Sequence, residues 1–202
     1  NGFKVISLDD PTGKALHEKT RDFSSLLAGA DIGLFYFAGH GLQVKGRNYL
    51  IPVDARLRDE SDLEVEATPL DRVVQQMERG GARVNILIID ACRDNPLAKS
   101  LARQMGTRGA TVGRGLANMT AEGGTVIVFS TQPDNVALDG SSSLSPFAEA
   151  LLNHIERRQL DVSLMLRLVR REVVQKTNGK QRPWEHSSLV PVHGEQGIFL
   201  KN

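Results

Sequence analysis

The sequence predicts one α/β domain, a three-layer α/β/α sandwich around a mostly parallel central sheet. Three continuously apolar runs of strand length, at residues 32–38, 84–89 and 125–129, indicate the centre of that sheet. Runs that are apolar throughout suit strands covered by helices on both faces. Amphipathic stretches separate the runs, and this alternation is typical of parallel strands with right-handed connections. The length of 202 residues fits a single domain over 1–202.

The first half of the chain predicts two further strands and two helices. Residues 3–8 form a short β-rich run, and the helical pattern of residues 12–27 follows it. Residues 48–54 are predicted to be a short edge strand, because Pro52 interrupts the hydrogen-bond ladder. Pro69 is predicted to open the second helix, since proline suits a first turn. The residues predicted to face inward are Leu16, Phe23, Leu26 and Leu27 in the first helix and Leu70, Val73, Val74 and Met77 in the second.

The second half predicts two more helices and a closing strand. Ser145 and Pro146 start one helix, and a second covers residues 162–175. A turn at 178–179 follows, and residues 197–200 are predicted to be the last strand. The residues predicted to face inward in the helix after Ser145 are Phe147, Leu151, Leu152 and Ile155.

Composition and charge argue against several classes of protein. The net charge of +1 and the isoelectric point near 8.1 give no signal for nucleic-acid binding. No run approaches the roughly 18 apolar residues of a membrane span. The single cysteine cannot form an intrachain disulfide, and the start of the chain has no signal-peptide shape. A cytoplasmic location is therefore expected, although the chain begins at Asn1 and its true amino terminus is out of view.

Two chemically reactive residues lie at the ends of apolar runs. The only cysteine, Cys92, follows His40 by 52 positions, and open α/β sheets place their chemistry at such strand ends. Only a thiolate attacks well, so the thiol needs a base, and His40 is the candidate. The uncovered N–H of Gly41 and the Cys92 N–H are predicted to form an oxyanion hole. The structural alternative is a cysteine that acts as a small buried hydrophobe, beside a loop histidine.

Several segments carry a resemblance to one family. They are FYFAGHG at 35–41, NYLIPVDA at 48–55, DACR at 90–93, TVIVFST at 125–131 and QRPW at 181–184. With these segments the chain resembles the caspase-like cysteine peptidases, specifically the bacterial relatives of metacaspases and paracaspases. The spacing from His40 to Cys92 agrees with that of caspases, but Asp90 stands where their signature has glutamine. The resemblance implies a caspase-like fold and a cysteine endopeptidase with a His40 and Cys92 dyad.

The acid two positions before the cysteine bears on substrate choice. Asp90 matches the acidic residue with which metacaspases and paracaspases bind arginine or lysine, so the resemblance implies cleavage after Arg or Lys and not after Asp. A carboxylate suits a guanidinium because the pair can be bidentate and charge-assisted. Asp134 and Asp139 lie in the segment that resembles the substrate-side loop, and they are candidates for a second pocket acid. The structural alternative for Asp90 is a loop acid that accepts backbone N–H bonds.

The family's first strand and helix are missing from this chain. The resemblance covers nearly all 202 residues, but it begins after an opening βα unit that the family usually has. A sheet without such a strand exposes apolar surface and an unpaired edge. The missing segment is expected either as a separate chain or as sequence outside residues 1–202.

A basic segment follows the nucleophile run. Residues 99–115 contain small residues and no acid, which predicts an exposed, flexible loop. The basic residues of this loop are Lys99, Arg103, Arg108 and Arg114. Caspase-like enzymes are often cut in this region, so self-cleavage is one hypothesis. A solvated loop near an acidic partner is the other.

The sequence also bears on two other functions and on the need for a cofactor. A catalytically silent caspase-fold scaffold or adaptor is the alternative from another class, since a fold alone never proves activity. A serine hydrolase is disfavoured because no Gly-x-Ser-x-Gly motif occurs. No cofactor or metal is expected: the acidic stretch at 54–66 lacks the ordered spacing of an EF-hand, although some relatives need calcium. Peptides or proteins with a basic residue before the cut are the expected partners.

Overall fold

A computed structural model describes residues 2–92, 112–113, 119, 123–132, 138, 144–189 and 197–201. At residues 92, 112 and 113 it describes the backbone alone. In chain order the strands are β1 (Ile32–Val44), β2 (Arg47–Ile51), β3 (Thr68–Pro69), β4 (Val84–Cys92), β5 (Val112–Gly113), β6 (Thr125–Phe129) and β7 (Trp184–Ser187). The helices are α1 (Gly13–Ser25), α2 (Leu63–Glu66), α3 (Leu70–Gly80), α4 (Pro146–Ile155) and α5 (Val162–Lys176), with a 3₁₀ turn at Glu60–Asp62.

The sheet has a parallel centre and antiparallel flanks. Its order is β3-β2-β1-β4-β6-β7, and β5 pairs with the end of β1. The pairs β1 with β4 and β4 with β6 are parallel, as the three apolar runs predict. The strands β2, β3 and β7 add antiparallel pairs on either side. The sheet is therefore mixed, and helices cover it in an α/β sandwich.

Two apolar cores form because β4 is covered on both faces. Alternate residues of the strand point to opposite sides, so Ile86 and Ile88 pack towards α4 and α5, while Leu87 and Ile89 pack towards α3. All four side chains are fully buried. This double burial explains why the run is continuously apolar instead of alternating.

The helices begin at capping residues that the sequence makes recognisable. The Thr12 hydroxyl accepts a hydrogen bond from the Ala15 N–H at the start of α1. The Ser145 hydroxyl does the same for the Ala148 N–H in α4. An acceptor at this position satisfies an N–H group that has no partner within the helix. At the carboxyl end of α3, Gly81 adopts the left-handed conformation that ends a helix.

Four local expectations differ from the structure. Leu26 and Leu152 are 42% and 58% exposed, so they lie outside the buried faces of their helices. Residues 3–8 form no strand, because no neighbouring strand in the described part of the chain offers them hydrogen bonds. Residues 197–200 contribute one isolated bridge, between Asp161 and Phe199, and no strand. The edge position of the sheet next to β6 is taken by β7 instead.

No helix in the described ranges is both long enough and apolar enough to cross a membrane.

A polar network joins α4 to α5 and predicts a pH dependence of stability. Burial by itself raises the pKa of the Glu172 carboxyl, but hydrogen bonds from Lys176, Asn153 and His154 and the Lys176 charge outweigh it. The pKa of Glu172 therefore lies below its ordinary value. A carboxyl with a lowered folded-state pKa stabilises the fold above its unfolded-state pKa, and this contribution is lost as the pH falls through the folded-state value.

We expect Glu172→Gln to lower the free energy of unfolding by about 0.5 to 1 kcal/mol at about pH 7, a value reduced by solvent screening. The difference from the wild type should shrink as the pH falls below about 4. Urea unfolding at several pH values measures it. Glu18→Gln in the exposed pair with Lys14 is the control and should show little change. A pH-independent loss in Glu172→Gln contradicts the electrostatic explanation.

Candidate active site

The parallel pairing of β1 with β4 brings the two predicted catalytic positions together. Their register pairs Tyr36 with Ile88, Ala38 with Asp90 and His40 with Cys92. Neighbouring strands lie about 4.8 Å apart, so positions 40 and 92 start from adjacent points of the backbone. The His40 side chain is exposed at this end of the sheet. For Cys92 the structure describes the strand position only.

Asp90 lies within the protein, and hydroxyl groups from two different elements hold its carboxylate. The residue is 6% exposed. Its Oδ2 accepts a hydrogen bond of 2.5 Å from the Ser145 hydroxyl and a longer one of 3.4 Å from the Tyr36 hydroxyl. A buried carboxylate is costly unless such donors replace water. Asp90 therefore bonds to the Tyr36 side chain of β1 and to the Ser145 side chain that caps α4.

Tyr36 remains protonated next to this carboxylate. Burial, followed by the charge of Asp90 and the hydrogen bond to it, holds the pKa of the Tyr36 phenol well above its usual range. A neutral phenol can donate a hydrogen bond, and a phenolate cannot. Tyr36 thus acts as a hydrogen-bond donor to Asp90.

The glycines beside His40 fit closely into the strand. A Cβ atom at Gly39 would lie 3.0 Å from the Phe37 ring, which is tighter than ordinary contact, so a larger residue would displace the ring or the backbone next to His40. Gly41 is buried within β1 and pairs with Leu50 of β2. An oxyanion hole formed by the Gly41 and Cys92 amides stays a prediction.

Gln181 connects Ser130, the residue that follows β6, to Leu138. Gln181 is fully buried; its Nε2 donates to the Ser130 carbonyl at 2.8 Å, and its Oε1 accepts from the Leu138 N–H at 3.1 Å. Gln181 and Tyr36 lie in segments that carry the family resemblance, but the sequence assigns no role to either residue, because their partners are distant in the chain. The predicted pocket acids Asp134 and Asp139 lie outside the described residues. So does the predicted basic loop at 99–115, except for β5.

The acidic stretch at 54–66 is used in internal contacts. Glu64 pairs with Arg47 and Glu60 with Lys45, while Asp54 accepts from the Gly13 N–H at 2.8 Å. Within the described ranges, no group of three or more His, Cys, Asp or Glu residues could hold a metal ion.

These features define an α/β sandwich in which a histidine within β1 pairs with a cysteine at the end of β4, and solved structures share its architecture. The chain is similar to the crystal structure of caspase-1 from Spodoptera frugiperda, with a TM-score of 0.59 and 16% identity. The match covers 94% of this chain and 73% of that one. At this identity the likeness shows the fold, which is that of the caspases.

The sequence comparisons assign the family. The family model described as the caspase domain matches residues 1–192, so the chain belongs to the caspase-domain family of cysteine peptidases. It is also 36% identical over 93 residues to the human mucosa-associated lymphoid tissue lymphoma translocation protein 1 and equally to the mouse homolog. That match covers 45% of this chain but 11% of each relative, so the chain spans a small part of the curated proteins it matches.

Proposed function

We propose that the protein is a cysteine endopeptidase that cleaves peptide bonds after Arg or Lys. The observation that carries this proposal is the register of β1 and β4, in which His40 pairs with Cys92. Membership of the caspase-domain family supports the same reaction class. The sequence retains both residue types that the reaction needs, a thiol and a base.

The reaction proceeds by acyl transfer. The Cys92 thiolate attacks the carbonyl carbon, a carbon–sulfur bond forms, and the oxyanion is stabilised by the amides of Gly41 and Cys92. The carbon–nitrogen bond then breaks, and His40 protonates the leaving amine. Water hydrolyses the thioester, which releases the carboxylic acid and restores the thiol.

Substrate choice follows from Asp90. Its position in β4 is two residues before Cys92 on the same strand, so both residues belong to the same face of the sheet. A carboxylate there attracts a guanidinium or an ammonium group of the residue before the cut and disfavours a negatively charged one. Asp134 and Asp139 remain the proposed additional pocket acids.

We expect the protein to hydrolyse fluorogenic peptides with Arg or Lys before the cut and not those with Asp. Cys92→Ala and His40→Ala should lower kcat/KM by about 10³-fold or more, because each removes a reacting group. Asp90→Asn, which keeps the shape and removes the charge, should lower kcat/KM for Arg peptides by roughly 10- to 100-fold.

His17→Ala, on the exposed face of α1, is the control and should retain full activity. Hydrolysis by Cys92→Ala at the wild-type rate contradicts the mechanism, and unchanged selectivity in Asp90→Asn contradicts the specificity. Absence of any hydrolysis, with or without calcium, favours the alternative of a caspase-fold scaffold that binds partners without turnover.

We also propose that the protein cuts itself within residues 99–115. The support is the four basic residues of this segment, which follow the nucleophile strand and match the proposed specificity. Intact-mass analysis of the purified wild type should find fragments that end at Lys99, Arg103, Arg108 or Arg114, with masses that sum to the intact chain plus one water for each bond cut. Cys92→Ala should remain intact. The same fragments in both proteins contradict self-cleavage and indicate another protease.

The open edge of β1 supports a proposal about the missing first strand. Residues 32–39 pair with β4 on one side, and β2 joins the other side only from His40 onward. In the described part of the chain no strand occupies the rest of that edge. Apolar side chains at 3–8 are also exposed, with Val5 at 80%. An unpaired strand edge favours the addition of a strand. We propose that an apolar strand outside residues 1–202 fills it.

Hydrogen exchange tests this strand. Amides of residues 33–39 that point away from β4 should exchange rapidly in the chain of 202 residues. They should exchange slowly when the chain is expressed with the residues that precede Asn1 in its reading frame. Amides that point towards β4 are the internal control and should be slow in both. Equal exchange at the outward amides in the two proteins contradicts the proposal.

A further inference from the structure

The Asp90 carboxylate is the meeting point of two separate elements of the fold. The hydroxyl of Tyr36 reaches its Oδ2 from β1, and the hydroxyl of Ser145 reaches the same atom from the start of α4. Ser145 is 55 residues away in sequence and Tyr36 is 54 residues away. The two donors converge only because β1, β4 and α4 pack together at this end of the sheet.

The Ser145 hydroxyl has a defined direction. Its oxygen accepts the Ala148 N–H at 2.9 Å as the cap of α4. A hydroxyl has a single proton, and with the helix N–H occupying a lone pair, that proton points to Asp90. The amino-terminal end of a helix carries partial positive charge, which also favours an anion at this place. The arrangement therefore orients the Asp90 carboxylate.

Loss of one hydrogen-bond donor changes how well the Asp90 carboxylate can align with a substrate side chain. A carboxylate that turns about its own bonds loses the alignment that a planar guanidinium requires, whereas an ammonium group is less sensitive to direction. Removing Ser145 or Tyr36 should thus weaken recognition of Arg more than recognition of Lys.

We propose that Ser145 and Tyr36 are specificity-determining positioning residues, which hold the Asp90 carboxylate in the orientation that receives the side chain of a substrate arginine. The proposal rests on the proposed function, in which Asp90 reads the residue before the cut. Neither residue touches the reacting atoms, and both act through Asp90.

Selectivity, and not activity alone, tests this role. Three matched peptides carry Arg, Lys or citrulline before the cut; citrulline has nearly the shape of arginine but no charge. In Ser145→Ala, the ratio of kcat/KM for Arg to that for citrulline should fall about tenfold, the effect of one hydrogen bond to a charged group. In Tyr36→Phe it should fall about threefold, since the bond is longer. Ser145→Thr, which retains the hydroxyl, should restore the ratio to within about twofold of the wild type.

Two matched controls separate positioning from folding. Thr12→Ala removes the hydroxyl cap of α1 and controls for loss of a helix cap. Tyr49→Phe removes a phenol that bonds to Glu64, and controls for loss of a tyrosine hydroxyl. Both should leave the Arg-to-citrulline ratio unchanged. A general loss of stability lowers kcat/KM for all three peptides together and does not move the ratio. An unchanged ratio in Ser145→Ala and Tyr36→Phe overturns the proposal while the proposed function stands.

A second measurement separates failure of the positioning role from failure of the proposed function. Agmatine carries the guanidinium of arginine but no peptide bond, and its binding can be followed by NMR shifts of the backbone amides of β4. If the wild type hydrolyses none of the peptides, the proposed function fails. The binding of agmatine then tests the positioning role of Ser145 by itself. A dissociation constant about tenfold weaker in Ser145→Ala than in the wild type supports the positioning role. Equal binding, or no binding to the wild type, overturns it.

Discussion

The parallel pairing of β1 with β4 is the interaction on which the rest of the structure depends. Nine consecutive pairs, from Ile32 with Val84 to His40 with Cys92, hold these strands in one register. A slip by one residue would turn every side chain of one strand to the opposite face. It would exchange the residues that β4 contributes to its two cores, with Leu87 and Ile89 in place of Ile86 and Ile88, and separate the histidine from the cysteine. Burial of the core therefore also sets the geometry of the site.

A buried charge links this register to the helices. Asp90 directly follows the apolar run at 86–89 of β4, and its carboxylate is tolerated because hydroxyl groups from β1 and from the α4 cap replace water around it. The same contacts tie the start of α4 to the sheet. In the proposed function stability and recognition share one group, because a carboxylate that is already held in place is preorganised for a cationic side chain.

The central part of the fold and of the site follows from local patterns. Continuous apolar runs predict the centres of β1, β4 and β6, Ser145 and Pro146 predict the start of α4, and the ends of two apolar runs predict that His40 and Cys92 lie on strands of the sheet. These patterns are reliable because double burial and helix capping constrain residues that are close in sequence. The predicted strand at 3–8 is wrong for the converse reason. A strand needs a second strand to pair with, and the local sequence does not show whether one is present.

The sequence by itself determined the class of protein, the order of its main elements and the residue types available for catalysis, since each depends on periodicity or on a short motif. Only the tertiary structure decided that Tyr36 and Ser145 meet at Asp90, that β7 pairs with β6, and that residues 32–39 of β1 have one edge without a partner strand among the described residues. Those contacts join residues far apart in the chain. Their partners are selected by the packing of helices on a sheet, which no local pattern encodes.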